Sequence, residues 1–159
     1  MFYHPEAMTH HHPQAVARWI HRRYGFAGPP ANFAAVLGDM PIELDFCDWG
    51  PDLSGICVRG QRVSSIGINR NDSRGRRHFT MWHEFYHYLV HKDELGFSCG
   101  HLQQRQRERE CDIFAAHVLM PEEWVLNLEG PMWVAARSLG VSQQALSVRL
   151  DELGLTIDR

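Results

Sequence analysis

The sequence predicts an α+β domain in which a small antiparallel sheet packs on a helical bundle. Apolar and polar residues alternate between positions 42 and 69, and this period of two indicates strands. From about residue 76 onward the apolar residues recur at helical spacing instead. The chain has 159 residues, of which 44% are hydrophobic and 22% charged, so a single domain over residues 1–159 can bury a substantial core.

The individual elements follow from local patterns. A helix over Pro13–Tyr24 begins with a proline suited to the first turn and is ended by Gly25, and a short helix is expected over 31–37. The predicted strands are IELDFCD (42–48), LSGICVR (53–59) and RVSSIGIN (62–69), the last two forming a hairpin. The remaining predicted helices cover residues 76–92, 104–119, 121–128, 131–139 and 142–153.

Composition excludes several classes of function. The net charge of −3 does not favour nucleic acid or an anionic membrane as a partner, and no apolar run is long enough for a membrane span. The N-terminus lacks the layout of a secretory signal. Four cysteines, Cys47, Cys57, Cys99 and Cys111, form no C-x-x-C pair, so we expect free thiols and a cytoplasmic protein.

The stretch TMWHEFYHYLVH (80–91) contains an H-E-x-x-H motif. On a helix, His83 and His87 lie one turn apart on the same face, so both imidazoles can reach one metal ion. Glu84 then projects beside the metal, where a general base must stand to take a proton from a water molecule that zinc activates. The alternative is a solvated helix face rich in histidine and glutamate.

A zinc site of this kind needs a third protein ligand. Asp93 is one candidate, but Val90 stands where the corresponding motif has a helix-breaking glycine. Glu108 and Asp112 are the other candidates: they share a helix face, so that one can bind metal while the other accepts an imidazole N–H. Glu110 is expected on the solvated side.

Two further interpretations of these segments stay open. The acids of the 104–119 helix can be ordinary surface charge beside Arg105, Arg107 and Arg109. Cys99 and His101, in FSCGH, form a weaker candidate pair of metal ligands.

Three segments resemble the ImmA/IrrE family of zinc metallopeptidases. They are HFTMWHEFYHYLVH (78–91), ERECDIFAAHVLMP (108–121) and LGVSQQALSVRLDELG (139–154), and the strand pattern over 42–69 also fits. The resemblance extends from about residue 15 to residue 154. It implies a zincin-like fold of the gluzincin type, with an H-E-x-x-H zinc-protease helix.

The resemblance also implies the roles of individual residues. His83, His87 and Glu108 would hold one Zn2+ per chain, and Glu84 would be the catalytic base. Asp112 would orient a ligand histidine. His91 matches a histidine often seen one turn after the motif in this family; its helical spacing puts it on the same face as His83 and His87, so we expect it behind the ligands.

The sequence departs from the family pattern at two positions. Tyr86 stands where a small residue is usual, so its ring is expected to narrow the cleft or to place a phenol near the oxyanion. His78 stands where an arginine is common.

The segment 131–154 has the layout of a helix-turn-helix, with Gly140 at the turn and Ser142 as N-cap. DNA binding is the functional alternative for these helices. However, Arg149 is the lone cation beside Asp151 and Glu152, whereas phosphate contacts need several cations. We therefore expect no direct nucleic-acid binding and assign these helices to support of the site or contact with a protein substrate.

The resemblance implies an intracellular endopeptidase that cleaves a protein substrate, namely a helix-turn-helix repressor, in a stress or mobile-element response. We expect an extended substrate segment to pair with an exposed sheet edge, the strand that contains Ile66 and Ile68. One alternative is a metal-binding sensor or interaction module of the same fold that cleaves nothing. A DNA-binding regulator is the other.

Overall fold

Seven helices and three strands make up the part of the chain that the computed structural model describes, residues 12–91 and 101–157, with backbone alone for 101–103. In chain order they are α1 (Pro13–Tyr24), α2 (Ala34–Leu37), β1 (Ile42–Cys47), β2 (Gly55–Val58), β3 (Ser64–Asn69), α3 (Arg74–Val90), α4 (His101–Leu119), α5 (Glu122–Leu126), α6 (Met132–Leu139) and α7 (Gln143–Leu153). The predicted α+β class is confirmed.

The sheet is mixed, so the prediction of an antiparallel sheet is wrong. β2 pairs with β3 as the expected antiparallel hairpin, but β1 pairs with the other side of β3 in parallel, with Ile42 opposite Ser64. The hairpin with β2 leaves the other edge of β3 unpaired. β1 pairs with that edge and runs in the same direction as β3. Alternation of apolar residues reports which face of a strand is buried and carries no information on strand direction.

β3 is the central strand, because the strand order is β1-β3-β2. The expectation that Ile66 and Ile68 lie on a substrate-binding edge is therefore wrong: both side chains are fully buried and both sides of the strand are paired. Asn69 is buried as well, and its side-chain amide donates to the carbonyls of Gly50 and Leu53. Within the described sheet, β1 and β2 are the edges.

An aromatic cluster fixes the orientation of α3. The rings of Phe33, Trp82 and Phe85 meet edge to face with centroids 5.0–6.0 Å apart, and all three are buried. Burying one such side chain stabilises the fold by about 2–3 kcal/mol. With this face packed inward, α3 contacts β2, β3 and α4. This orientation of α3 turns the side chains of His83 and His87 toward α4.

The C-terminal helices begin and turn as the sequence predicts. The Ser142 hydroxyl accepts from the Ala145 N–H at the start of α7, and Gly140 has a φ of 71° in the turn before it. His78 holds this turn to the rest of the chain: its ring nitrogens lie 3.0 Å from the Gly140 carbonyl and 2.9 Å from the Ala31 carbonyl. His78, one of the two positions that depart from the ImmA/IrrE pattern, therefore has a structural role here.

No helix among the described residues combines the length and the apolar character that a membrane crossing requires.

Candidate metal centre

Two histidines of α3 and one glutamate of α4 converge. His83 Nε2 lies 3.1 Å from Glu108 Oε2, and His87 Nε2 lies 3.2 Å from Glu108 Oε1. The two imidazole rings are adjacent, with centroids 5.2 Å apart, and their side chains are 14% and 17% exposed. These are the three ligands that the family resemblance implied, and the structure brings them together.

Asp112 and His91 lie behind the two histidines. His83 Nδ1 is 2.9 Å from Asp112 Oδ1, so the carboxylate can hold the ring with Nε2 facing Glu108. His87 Nδ1 is likewise 2.9 Å from His91 Nδ1. Each histidine thus has its Nδ1 engaged and its Nε2 directed at the same carboxylate, which is the orientation that a metal bound through Nε2 requires.

Glu110 does not lie on the solvated side, contrary to the prediction. Its Oε2 lies 3.6 Å from His91 Nε2, and its side chain is 30% exposed. Two residues along a helix correspond to a rotation of about 200°. Glu110 therefore points away from Glu108 and contacts His91, at the C-terminal end of α3, instead of the two candidate ligands His83 and His87.

Glu84 is buried at 9% exposure and borders the same centre. β2 crosses directly over it: a Cβ at Gly55 would lie 3.0 Å from Glu84 Cγ and would collide with the Thr80 methyl group. A glycine is therefore needed at position 55 for the strand to approach. Burial raises the pKa of Glu84, while His83 and His87 oppose the rise. A carboxylate with a raised pKa is better matched to general-base work near neutral pH.

Electrostatics at the centre favour a cation. Burial lowers the pKa of His83, but its hydrogen bonds to Asp112 and Glu108 outweigh this effect and raise the pKa to about 9. Hydrogen bonds with His83 and His87 lower the pKa of the Glu108 carboxyl group. Three carboxylates surround His83, so positive charge is stabilised here, and two imidazoles with a carboxylate form a donor set suited to zinc. The residues present therefore fit the metal that the family resemblance implied.

Cys111 offers an alternative third ligand that the sequence reasoning missed. The Cys111 sulfur lies close to the two histidines: it and one ring nitrogen each of His83 and His87 are all within 4.8 Å of one another. Cys111 is fully buried, and burial followed by the nearby carboxylates raises the pKa of its thiol. Its place on α4, three residues after Glu108, was the signal available in the sequence.

A cleft of about 1000 Å³ opens beside the centre. His83, Glu84 and Glu108 line it on one side, and it extends between the β2 end, at Ser54 and Gly55, and helix α7. Apolar side chains of α4 and α7, including Ile113, Ala145 and Val148, also line it. Two of the candidate metal ligands, His83 and Glu108, thus face an open cleft rather than the core.

Tyr86 is not a cleft residue, so that expectation is wrong. Its ring is fully buried, with its centroid 4.9 Å from that of Phe114 and 5.6 Å from that of His91. One residue corresponds to a rotation of about 100° on a helix, and this turns position 86 from the ligand face into the α3–α4 contact. The tyrosine packs these two helices together and leaves the cleft unobstructed.

Arg149 is internal rather than available to phosphate. It is 5% exposed, its Nε donates to the Met120 carbonyl, and its Nη1 lies 3.1 Å from Glu152 and 3.3 Å from His117 Nε2. It is the only lysine or arginine of α7. The arginine ties α7 to the end of α4.

Three residues weighed as metal ligands fall outside this description. Asp93 and Cys99 lie outside the described residues, and so does the side chain of His101.

Two histidines and a glutamate on one helix, faced by an acidic second helix, are typical of zinc-dependent hydrolases. The sequence pattern of a peptidase family described as IrrE N-terminal-like domain matches residues 51–151, and the chain belongs to this family. The ImmA/IrrE resemblance is confirmed.

A transcriptional regulator from Mycobacterium tuberculosis has a similar structure, with a TM-score of 0.59 and 16% sequence identity. The match covers 86% of this chain but 47% of the regulator, so the chain spans about half of that protein's length. At this identity the likeness shows a shared fold. No curated protein shows significant similarity to the chain.

Proposed function

We propose that the domain is a zinc-dependent endopeptidase that hydrolyses a peptide bond in a protein substrate. The observation that carries this proposal is the convergence of His83 Nε2 and His87 Nε2 on the Glu108 carboxylate at 3.1 and 3.2 Å. Glu84 stands beside them, and together with His83 and Glu108 it lines the cleft through which a substrate would reach the centre.

Glu108 is the preferred third ligand over Cys111. Both of its oxygens already face the two Nε2 atoms, whereas Cys111 is enclosed in the core. A catalytic zinc site also needs an open position for substrate, which the cleft side provides and the core side does not. When bound, Zn2+ supplies Lewis-acid chemistry and activates water for hydrolysis.

Glu84 is the proton carrier in this proposal. Its buried carboxylate lies next to the ligand histidines, and burial raises its pKa. An oxygen of Glu84 would accept the proton of the attacking water and pass it to the nitrogen of the leaving amine.

The substrate would bind as an extended segment along the edge of β2, not of β3. The Asn69 N–H donates to the Ser54 carbonyl, so by the alternation of an antiparallel ladder the backbone groups of Gly55 and Cys57 point to the free edge. This edge passes over Glu84. A segment paired there would lie with its backbone beside the candidate ligands.

The partner we propose is a DNA-binding repressor of the helix-turn-helix type. Family membership supports this choice, and a protein of similar fold is a transcriptional regulator. The position of Arg149 argues against direct DNA contact by α7 itself.

The test compares the wild type with Glu84→Gln, which keeps the shape of the side chain but cannot accept a proton. Purified protein would be analysed for metal and incubated with a library of peptides and with candidate repressors. We expect about one zinc per chain in both proteins and cleavage by the wild type alone. Equal cleavage by both would refute the role of Glu84, and zinc without cleavage in the wild type would favour the sensor alternative.

A further inference from the structure

A second concave site lies on the other side of α3 from the candidate metal centre. It has a volume of about 510 Å³ and is bounded by the segment around Pro30, by α2, by β1 and by the first turns of α3. It shares no lining residue with the metal cleft. Its apolar walls are formed by Phe33, Leu37, Leu44, Phe46 and Met81.

Three arginines stand at one side of this pocket, which we call the arginine pocket. Arg70 Nη2 donates to the Phe46 carbonyl at 2.6 Å, and Arg77 Nη1 lies 3.3 Å from the Arg70 carbonyl. These bonds hold two guanidinium groups in place and leave most of their N–H donors without a partner in the part of the chain that the structure describes. The Arg74 side chain is exposed and makes no hydrogen bond or ion pair with the described residues.

None of the described residues that line the arginine pocket is acidic. Asp72, the acid nearest to these arginines along the chain, has its Oδ2 3.4 Å from Nε of Arg76, a residue that lines the metal cleft instead. Glu43 and Asp45 of β1 alternate with Leu44 and therefore project from the opposite face of the strand. Three like charges grouped without a counter-charge repel one another, and an anion bound between them would remove that repulsion.

We propose that the arginine pocket binds a small amphiphile: a compact apolar body in the pocket and a phosphate or carboxylate facing Arg70, Arg74 and Arg77. The volume lies within the range of small-molecule sites, whose walls are mostly apolar with a few placed polar groups. A guanidinium group offers planar pairs of N–H donors that match the oxygens of both anions. The site is independent of the metal and of proteolysis.

The binding test uses octyl phosphate below its micelle-forming concentration, followed by calorimetry and by NMR of methyl-labelled methionine in the full chain. Met81 lines the arginine pocket and Met120 lines the metal cleft, so the two methyl signals separate the two sites. We expect saturable binding of one molecule per chain that shifts the Met81 signal and leaves Met120 in place. Octanol, which lacks the charge, should bind much more weakly.

The variants are Arg74→Gln and Arg77→Gln, with Arg137→Gln, at an exposed position of α6, as the matched control. Each pocket variant should weaken binding about tenfold, equivalent to about 1.4 kcal/mol, and the control should bind as the wild type does. The Arg74 side chain is exposed and has no hydrogen bond or ion pair among the described residues, so its loss should not unfold the chain.

Three outcomes of the octyl phosphate experiments would overturn the proposal. They are absence of saturable binding to the wild type, equal affinity in all variants, and a shift of Met120 instead of Met81. Binding of an acidic Asp/Leu peptide without binding of octyl phosphate would also overturn it and assign the surface to a protein partner.

Discussion

Asp112 Oδ1 lies 2.9 Å from His83 Nδ1, on the opposite edge of the ring from Glu108. A carboxylate in this position fixes the tautomer and the orientation of the imidazole and makes Nε2 a stronger donor to a metal ion. Asp112 thus acts on the candidate metal centre through His83.

Replacing Asp112 by alanine should therefore lower zinc affinity by about 10- to 100-fold without removing a ligand. Asp112→Asn should have a smaller effect, because its amide oxygen can still accept the Nδ1–H. Competition with a chromogenic chelator would measure both affinities. Asp151→Ala, an exposed acid on α7, is the matched control, and an Asp112→Ala affinity equal to that of the control would contradict the orienting role.

The identity of the third ligand can be tested by metal content. Glu108→Ala should lose zinc on purification, whereas Cys111→Ala should retain about one zinc per chain. The reason is that both Glu108 oxygens face the ligand histidines, while the Cys111 thiol is buried with a raised pKa. Zinc retained in the first variant and lost in the second would identify a His–His–Cys site.

The β2 edge can be tested at Cys57, whose N–H points to the free edge by the alternation of the ladder. Cys57→Pro removes this donor, and edge strands tolerate proline at such positions. We expect KM for a protein substrate to rise several-fold while zinc content is unchanged. Cys57→Ala removes the thiol and keeps the N–H, so it should behave as the wild type. If proline and alanine give the same KM, the substrate does not pair with this edge.

The contact between His117 and Arg149 predicts acid sensitivity. Burial, and then the charge of Arg149, lower the pKa of His117 from 6.5 to about 4. Between these values the unfolded chain binds a proton at this position and the folded chain does not. The free energy of unfolding should therefore fall as pH is lowered through this window, by about 1–2 kcal/mol after allowance for partial exposure.

His117→Gln keeps a hydrogen-bond acceptor but cannot titrate, so the free energy of unfolding of this variant should fall less steeply as pH is lowered. Urea unfolding of chelator-treated protein at pH 4, 5, 6 and 7 would measure this free energy. Burial also lowers the pKa of His91 to about 4, so the relevant quantity is the difference between variant and wild type. Parallel curves would show that His117 does not carry the effect.

Local sequence patterns predicted the fold class, the position of α1 and the β2–β3 hairpin, because turn residues and apolar spacing act over short distances. They did not predict that β1 runs parallel to β3, since alternation is the same in either direction. This error also misplaced Ile66 and Ile68 on an edge.

The candidate site, like the fold, was predicted from the sequence only in part. Spacing along one helix indicated that His83 and His87 share a face, and the structure places them side by side. The positions of Tyr86 and Glu110 depended on how α3 and α4 rotate against each other, which is decided by packing between helices and not by either helix alone. Cys111 was missed for the same reason.

The contact between His83 and Glu108 joins positions 25 residues apart in the chain. A zinc ion held by both would close this loop in the manner of a disulfide, and a loop of this length carries about 3 kcal/mol of chain entropy on the disulfide scale. Unlike a disulfide, this cross-link is reversible and depends on free metal. The resistance of the domain to unfolding, and hence its lifetime in the presence of proteases, would then follow the supply of zinc.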